Sequence, residues 1–245
     1  MKTHVWITGA SSGIGKAVAL EMAARGYKLI ISGRNVDALK QLADQTGAYV
    51  LPFDVTDRQA NLNAAQDLKQ RFGCIDIVFL NAGHCEYVDV DAFKSDVFER
   101  MIKTNFLSMV YGVEAALPLL KASKKPQLVG MSSAVAFLGL PRSEAYGASK
   151  AAIRNFLQGL GISLSREKIT VSIVYPGFVK TPLTDKNDFS MPMLITSEQA
   201  AKKITDGIEK KKSDIYVPVF FVQLTRLLSI LPSKISHYLL RKILR

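Results

Sequence analysis

His4-Val-Trp-Ile-Thr8-Gly9-Ala-Ser11-Ser12-Gly13-Ile14-Gly15 is the stretch on which the reading of this chain turns. Residues 4–8 are mostly apolar and β-favouring, which predicts a short buried strand. Glycines follow at positions 9, 13 and 15, and then Lys16 to Arg25 reads as a helix ending at Gly26. Strand, glycine loop and helix in that order form a phosphate-binding turn. The glycines let the backbone approach a pyrophosphate, and the helix N-terminus offers free N–H groups and the positive end of a dipole. The spacing is Gly-x-x-x-Gly-x-Gly, not the commoner Gly-x-Gly-x-x-Gly. A tight turn with no ligand has the same composition, but a loop placed directly after the first strand points to a nucleotide.

Outward from that turn, Lys28 to Ser32 is a second strand with Gly33-Arg34 at its end. In a doubly wound sheet this position reads the adenosine ribose: an acid accepts from the 2′-hydroxyl, whereas an Arg pairs with a 2′-phosphate. Here Gly33 stands in place of the acid and Arg34 follows, so NADP(H) is expected over NAD(H). The plain alternative is a solvated loop cation.

The alternation continues. Val36 to Gln45 is helical, and Ala48 to Phe53 is a strand ending at Asp54-Val55. Asp57 caps a helix to Phe72, and Ile75 to Leu80 is a strand ending in Asn81-Ala82-Gly83. Ser95 to Lys121 is a helix with Asn105 inside it, stopped or bent at Pro118. Gln127 to Met131 is a strand ending in Ser132-Ser133, and Ile169 to Tyr175 one ending in Pro176-Gly177. This pattern predicts an α/β fold of Rossmann type: a doubly wound, mostly parallel sheet of about seven strands, with helices on both faces. Ligands in such sheets bind at the carboxyl ends of the strands, where the glycine loop, Gly33-Arg34, Asp54, Asn81-Ala82-Gly83, Ser133 and Pro176-Gly177 all fall.

Between those last two strands lies Tyr146-Gly-Ala-Ser-Lys150, at the start of a helix running to about Arg166. Residues four apart share a helix face, so an ammonium lies beside a phenol. At about 5 Å and an effective dielectric of ~20 that charge is worth roughly 3 kcal/mol, or about two pKa units off the tyrosine. Such a phenol approaches the range of a general acid or base.

The 245 residues suit one α/β domain, and 48% hydrophobic content suits a globular core. Cys74 and Cys85 form no Cys-x-x-Cys pair, and with only three histidines no metal site is expected. No signal peptide is visible, and the longest uncharged run, ending at Pro141, is too short to span a bilayer. A cytoplasmic protein is expected. The net charge of +11 is uneven: from Lys202 onward ten Lys/Arg face three Asp/Glu, a net +7 in the last 44 residues.

In order and spacing these motifs resemble the short-chain dehydrogenase/reductase family, its compact single-domain branch, over roughly residues 3–217. The matching residues are Thr8-Gly-Ala-Ser-Ser-Gly-Ile-Gly15, Asp54, Asn81-Ala-Gly83, Asn105, Ser133, Tyr146-x-x-x-Lys150, and Pro176-Gly177 with Thr181. Leu80 departs from the family, which often has a second Asn there. The resemblance implies that Tyr146 exchanges a proton with the reacting oxygen while hydride passes between nicotinamide and carbon. It implies that Ser133, rather than its neighbour Ser132, orients that oxygen. Lys150 would bind the nicotinamide ribose and lower the Tyr146 pKa, and Asn105 would help hold a water. Asp54 and Val55 would face the adenine, Asn81, Ala82 and Gly83 the cofactor ribose, and Val179 and Thr181 the carboxamide and phosphates. A homodimer or homotetramer, paired through the two long helices after strands four and five, is also implied.

Two apolar segments, Ala134 to Arg142 and Leu183 to Thr196, are expected to shape the pocket, which favours a hydrophobic ketone, aldehyde or secondary alcohol. A lid packed on the core would have the same composition. Residues 1–217 then form the catalytic domain and 218–245 a basic amphipathic helical extension of it. Ile235, Leu239 and Ile243 follow helical spacing among Lys234, Arg241, Lys242 and Arg245. Residues 219–245 are expected either to touch an anionic membrane peripherally or to pack on the pocket or on a second subunit. The leading activity is an NADP-dependent oxidoreductase. The alternative is a non-catalytic NADP-binding regulator, against which the intact Asn105, Ser133, Tyr146 and Lys150 set argues. Nucleic-acid binding rests on net charge alone, without an aromatic stacking surface, and is not expected.

Overall fold

The computed structural model of the chain describes residues 3–243. β1 (His4–Thr8) is buried over Val5 to Thr8, and the Trp6 indole N–H donates to Ser32 Oγ at 2.9 Å in the next strand. β2 (Lys28–Ser32), β3 (Tyr49–Val50), β4 (Ile77–Leu80), β5 (Gln127–Met131), β6 (Thr170–Pro176) and β7 (Asp214–Val217) complete a sheet. Its order is β3-β2-β1-β4-β5-β6-β7, and every neighbouring pair is parallel. The connection reverses direction at β1, which opens a crevice at the carboxyl ends of β1 and β4.

Helices cover both faces. α1 (Gly13–Ala24), α2 (Val36–Thr46) and α7 (Ser197–Glu209) bury Val18, Met22, Leu39, Leu42, Ile204 and Ile208 against one face. α3 (Arg58–Phe72), α5 (Ser108–Lys121) and α6 (Glu144–Leu164) bury Leu68, Val113, Leu120, Ile153 and Leu157 against the other. Asp57 accepts from Ala60 N–H and caps α3 as the sequence suggests. After β7, α8 (Val219–Ile230) inserts Val222 into the second layer and lays Phe221 against Gly177. α9 (Ser233–Ile243) ends the described chain. Arg245 and the side chain of Ile243, both enlisted in the expected basic helix, lie outside the described residues.

Two expectations need correction. The strand expected over 48–53 contracts to two residues, because β3 is an edge strand and Pro52 supplies no N–H to it. Leu51 and Phe53 still donate to Ile31 and Gly33 carbonyls at 3.0 and 3.2 Å. The helix expected to stop or bend at Pro118 continues to Lys121. Pro118 faces solvent, as does Glu114 one turn earlier, so water can satisfy the carbonyl that the ring deprives of a partner. The irregular part lies upstream: a π-helical segment, Ile102–Leu107, joins α4 (Ser95–Met101) to α5 and holds Asn105 fully buried.

Candidate active site

The glycine loop closes on the end of β4. Gly9 has φ +67°, and a Cβ there would lie 2.8 Å from Ala82 Cα. A Cβ on Gly15 would lie 2.3 Å from Gly9 O and 2.5 Å from Asn81 Nδ2. Only glycine fits either place. Asn81 repays the approach by donating from Nδ2 to the Thr8 and Gly9 carbonyls at 3.1 Å each. The Thr8 hydroxyl accepts from the Asn81 and Ala82 N–H groups at 3.1 and 3.3 Å. Ser12 precedes α1 in an extended conformation without a side-chain cap, and no acid occupies the first turn, so the N-terminus keeps its positive end open to an anion. Thr181, from the loop after β6, reaches over the same place: a Cβ on Gly13 would meet its Cγ2 at 3.3 Å. Ser11, Ser12, Gly13, Ile14, Gly15 and Thr181 thus surround one backbone-lined hollow, and its glycine backbone and open helix end suit a pyrophosphate.

At the end of β2, Arg34 is 82% exposed and its Nη1 stands 4.0 Å from Asp54 Oδ2. Burial pushes the Asp54 carboxyl up, but the Thr56 N–H and hydroxyl, each 2.9 Å from Oδ1, outweigh it. With Arg34 and Lys103 nearby they hold it below the usual carboxylate range. Val55 turns its carbonyl to Asn61 Nδ2 at 2.9 Å. The Val179 side chain is buried in the core, so only its backbone is left to a ligand.

Across the crevice, α6 begins at Glu144 and presents Tyr146 and Lys150 on one side. Lys150 is buried; its Nζ lies 5.7 Å from the Tyr146 ring centroid and donates to Met131 O at 3.0 Å. A Cβ on Gly83 would lie 3.3 Å from that Nζ and 3.1 Å from Asn105 Oδ1, which ties the lysine to the Asn81-Ala82-Gly83 turn. The two serines after β5 point opposite ways, as neighbours in extended chain must. Ser132 Oγ donates to Lys150 O at 3.0 Å, under the helix. Ser133 Oγ lies on the tyrosine side, where it donates to Pro176 O at 3.4 Å and accepts from Val135 N–H at 3.3 Å. Asn105 uses its whole amide locally: Oδ1 accepts from His84 N–H at 2.7 Å, and Nδ2 donates to His84 O and Ser149 Oγ at 2.9 Å each. It pins the turn after β4 to α6.

The electrostatics differ from the expectation in one respect. The Tyr146 phenol titrates above, not below, its ordinary range. Burial is the main cause and a Cys85 thiolate would add to it, while the Ser133 hydrogen bond opposes both. Burial also pulls the Lys150 ammonium down to about 8. Desolvation dominates both groups, so the expected lowering of the Tyr146 pKa is not met. Cys85 itself is pushed up to about 11 by burial.

Around this centre the structure gathers residues that the sequence did not single out. Ser149 Oγ donates to Tyr146 O at 2.7 Å and accepts from Asn105; its place inside the Tyr146–Lys150 stretch was the available signal. Arg142 pairs with Asp188 at 2.7 Å and lies over the Tyr87 ring at 5.0 Å, while the Tyr87 hydroxyl donates to Asn187. Phe189 meets Tyr87 edge-on at 5.9 Å. The 183–196 segment is thereby clasped to the turns after β4 and β5. The 134–142 segment instead lines an open cavity of about 750 Å³, with Val135, Leu138 and Leu140 facing Ala148 and Ala151 of α6 and Leu240 and Arg241 of α9. Ser133, Tyr146 and Lys150 are not on its wall. Among the described residues no group of three His, Cys, Asp or Glu is placed to hold a metal.

Known proteins resemble this chain in sequence and fold. The family model for short chain dehydrogenase matches residues 3–192. An uncharacterized oxidoreductase of Myxococcus xanthus is 33% identical over 242 residues, 97% of this chain and 96% of its own. One of Listeria monocytogenes is 34% identical over 186 residues, 73% of this chain and 75% of its own. Among solved structures, a short chain dehydrogenase/reductase of Burkholderia phymatum in complex with NAD superposes with TM-score 0.83 at 21% identity, covering 92% of each chain. The alcohol dehydrogenase of Thermococcus sibiricus complexed with 5-hydroxy-NADP gives 0.78 at 23%, over 89% of this chain and 96% of that one. These two show the same fold. With a matching family model over most of its length, a nearly full-length relative at one-third identity and the glycine turn, Ser133, Tyr146 and Lys150 at one sheet edge, this chain belongs to the short-chain dehydrogenase/reductase family of oxidoreductases.

Proposed function

We propose that the chain is an NADP(H)-dependent reductase or dehydrogenase of a hydrophobic ketone, aldehyde or secondary alcohol. The observation that carries the reading is the meeting of Tyr146 and Lys150 with the Gly9–Gly15 hollow through the Asn81-Ala82-Gly83 turn, with the buried Ser133 hydroxyl after β5 beside them. The hollow fits a pyrophosphate because glycine backbone and an uncapped helix end line it. The bound nicotinamide supplies or accepts the hydride; the chain's own residues handle the proton and the orientation. In the reducing direction Tyr146 gives its phenolic proton to the carbonyl oxygen, and in the oxidising direction the phenolate takes it back. Ser133 orients that oxygen, and Lys150 holds the cofactor's ribose hydroxyls beside the phenol. Asn105 fixes the His84 turn and, as part of the π segment, leaves irregular backbone beside Lys150 for an ordered water. Asp54, Val55, Asn81, Ala82, Gly83, Pro176, Gly177, Val179 and Thr181 complete the cofactor's surroundings.

NADP(H) is favoured by the end of β2. A side chain on Gly33 would press on Ser11 Oγ, 3.3 Å from its Cβ, so position 33 itself carries no carboxylate to accept from a 2′-hydroxyl or repel a 2′-phosphate. Arg34 is exposed and only loosely paired, so its guanidinium is available. Dimer or tetramer formation through α4–α5 and α6 fits Ile162, which is 79% exposed on α6. Cys74 and Cys85 are both thiols, in keeping with a cytoplasmic setting, and residues 1–217 and 218–245 act as one catalytic domain and its extension. The direct test supplies NADPH deuterated at nicotinamide C4 with a panel of hydrophobic ketones and aldehydes. With both C4 positions deuterated, deuterium on the carbinol carbon of a product is expected; no deuterated alcohol from any ketone or aldehyde tested would overturn the reading.

A further inference from the structure

α8 and α9 present surfaces with an unusual make-up. On α8, Val219, Phe220, Leu224, Leu227 and Ile230 are all exposed, from 40% to 77%. At 100° per residue they fall on one arc, interrupted only by Gln223, opposite the buried Val222 and Thr225. Arg226 flanks the arc but is held down on the protein, hydrogen-bonded to the Tyr216 hydroxyl and lying over the Tyr216 and Phe137 rings. On α9 the exposed side alternates Ile235 and Tyr238 with Lys234, Arg241 and Lys242, while Ser236 is buried. None of those three cations pairs with a carboxylate among the described residues. From Ile215 to the end the sequence has five Lys/Arg and no Asp or Glu.

We propose that α8 and α9 dock the protein on an anionic lipid surface, with the α8 arc among the acyl chains and the α9 cations among the headgroups. Charge decides between the occupants. An acid-free, cationic surface repels a second copy of itself but is attracted to a negative bilayer. An exposed aliphatic arc has no use for the phosphates of a nucleic acid, whereas an apolar strip beside a row of cations, with an aromatic at the boundary, is the pattern of an interfacial helix. No helix among the described residues is long and apolar enough to cross a membrane, so the contact is peripheral. Ile230 and Phe220, 77% and 68% exposed, are the deepest anchors.

The test uses the full chain and reads sedimentation with vesicles, so it does not depend on turnover. Binding to mixed phosphatidylcholine–phosphatidylserine vesicles is expected, with much weaker binding to phosphatidylcholine alone. Each cation near such a surface contributes about a fivefold gain, so Lys234→Gln with Lys242→Gln should weaken binding about 30-fold. Phe220→Ser with Leu227→Ser should abolish it while leaving the circular dichroism and melting temperature unchanged, because both side chains are exposed. The proposal falls if the wild-type chain stays in the supernatant with the mixed vesicles or if either double variant sediments as well as wild type. It falls equally if the wild-type mass in lipid-free solution drops on Phe220→Ser with Leu227→Ser, which would give the face to a second copy.

Discussion

Lys150 and Tyr146 both leave water in the folded chain, and each resists its charged form for that reason. For Lys150 the folded pKa of about 8 lies below the ordinary 10.5, so the folded state binds fewer protons than the unfolded one between those values. The penalty is fully present below about 8 and fades as pH rises toward 10.5. Lys150→Met should therefore abolish turnover yet raise the melting temperature at neutral pH, by about 2–4 °C per kcal/mol relieved. That gain should shrink steadily as pH rises from about 8 and vanish only above 10.5, where the lysine is neutral in both states. Thermal melts of the two proteins across this range check it; a gain that grew with pH would contradict it. Arg34→Ala should cost NADPH about 10-fold or more in affinity, the worth of charge-assisted hydrogen bonds, and leave NADH unchanged, as read by cofactor fluorescence titration. These residues were legible because their motifs are local: a glycine spacing, a dipeptide at a strand end, a four-residue helical interval. The direction of the Tyr146 shift was not, because burial is made by segments far apart in sequence.

At the level of elements, the glycine loop, the end of β4 and α1 are packed too closely to admit a methyl group. Gly15→Ala would place a carbon 2.3 Å from Gly9 O, so α1 must move away from the hollow. NADPH affinity should fall sharply and stability by about 1–3 kcal/mol, the usual cost of overpacking; unchanged affinity in a folded variant would refute this account of the loop. The 183–196 segment is a different case. Its clasp, Arg142 to Asp188, is half-exposed and contributes at most about 1 kcal/mol to global stability. Asp188→Asn should leave the melting temperature within about 2–4 °C while speeding proteolytic cleavage inside the segment, measured by mass spectrometry of timed digests. Equal cleavage rates would show that the clasp holds nothing. Sequence reading marked the segment as pocket wall or lid from its apolar residues. It could not find the clasp, whose partners lie 46 positions apart for Arg142–Asp188 and 100 for Tyr87–Asn187 and follow no periodic pattern.

Over the whole molecule, the alternation of strands and helices was enough to give a parallel doubly wound sheet, since the connections leave few other solutions. Because all seven strands run parallel in the order β3-β2-β1-β4-β5-β6-β7, the glycine loop, Arg34, Asp54, Asn81 and Gly177 all follow carboxyl ends on the same side of the sheet. What the alternation could not give was how the last two helices sit: Val222 and Phe221 join the core, whereas the arc beside them stays outside. Hydride transfer assisted by the Tyr146 proton is the claim on which the functional account rests. Single-turnover oxidation of pre-bound NADPH by a carbonyl substrate, in wild type and in Tyr146→Phe, tests it most directly. The account predicts a rate lower by about 10²–10⁴-fold in the variant, the usual worth of a positioned acid, with NADPH affinity preserved. Tyr146→Phe oxidising its bound NADPH as fast as the wild-type chain would contradict it.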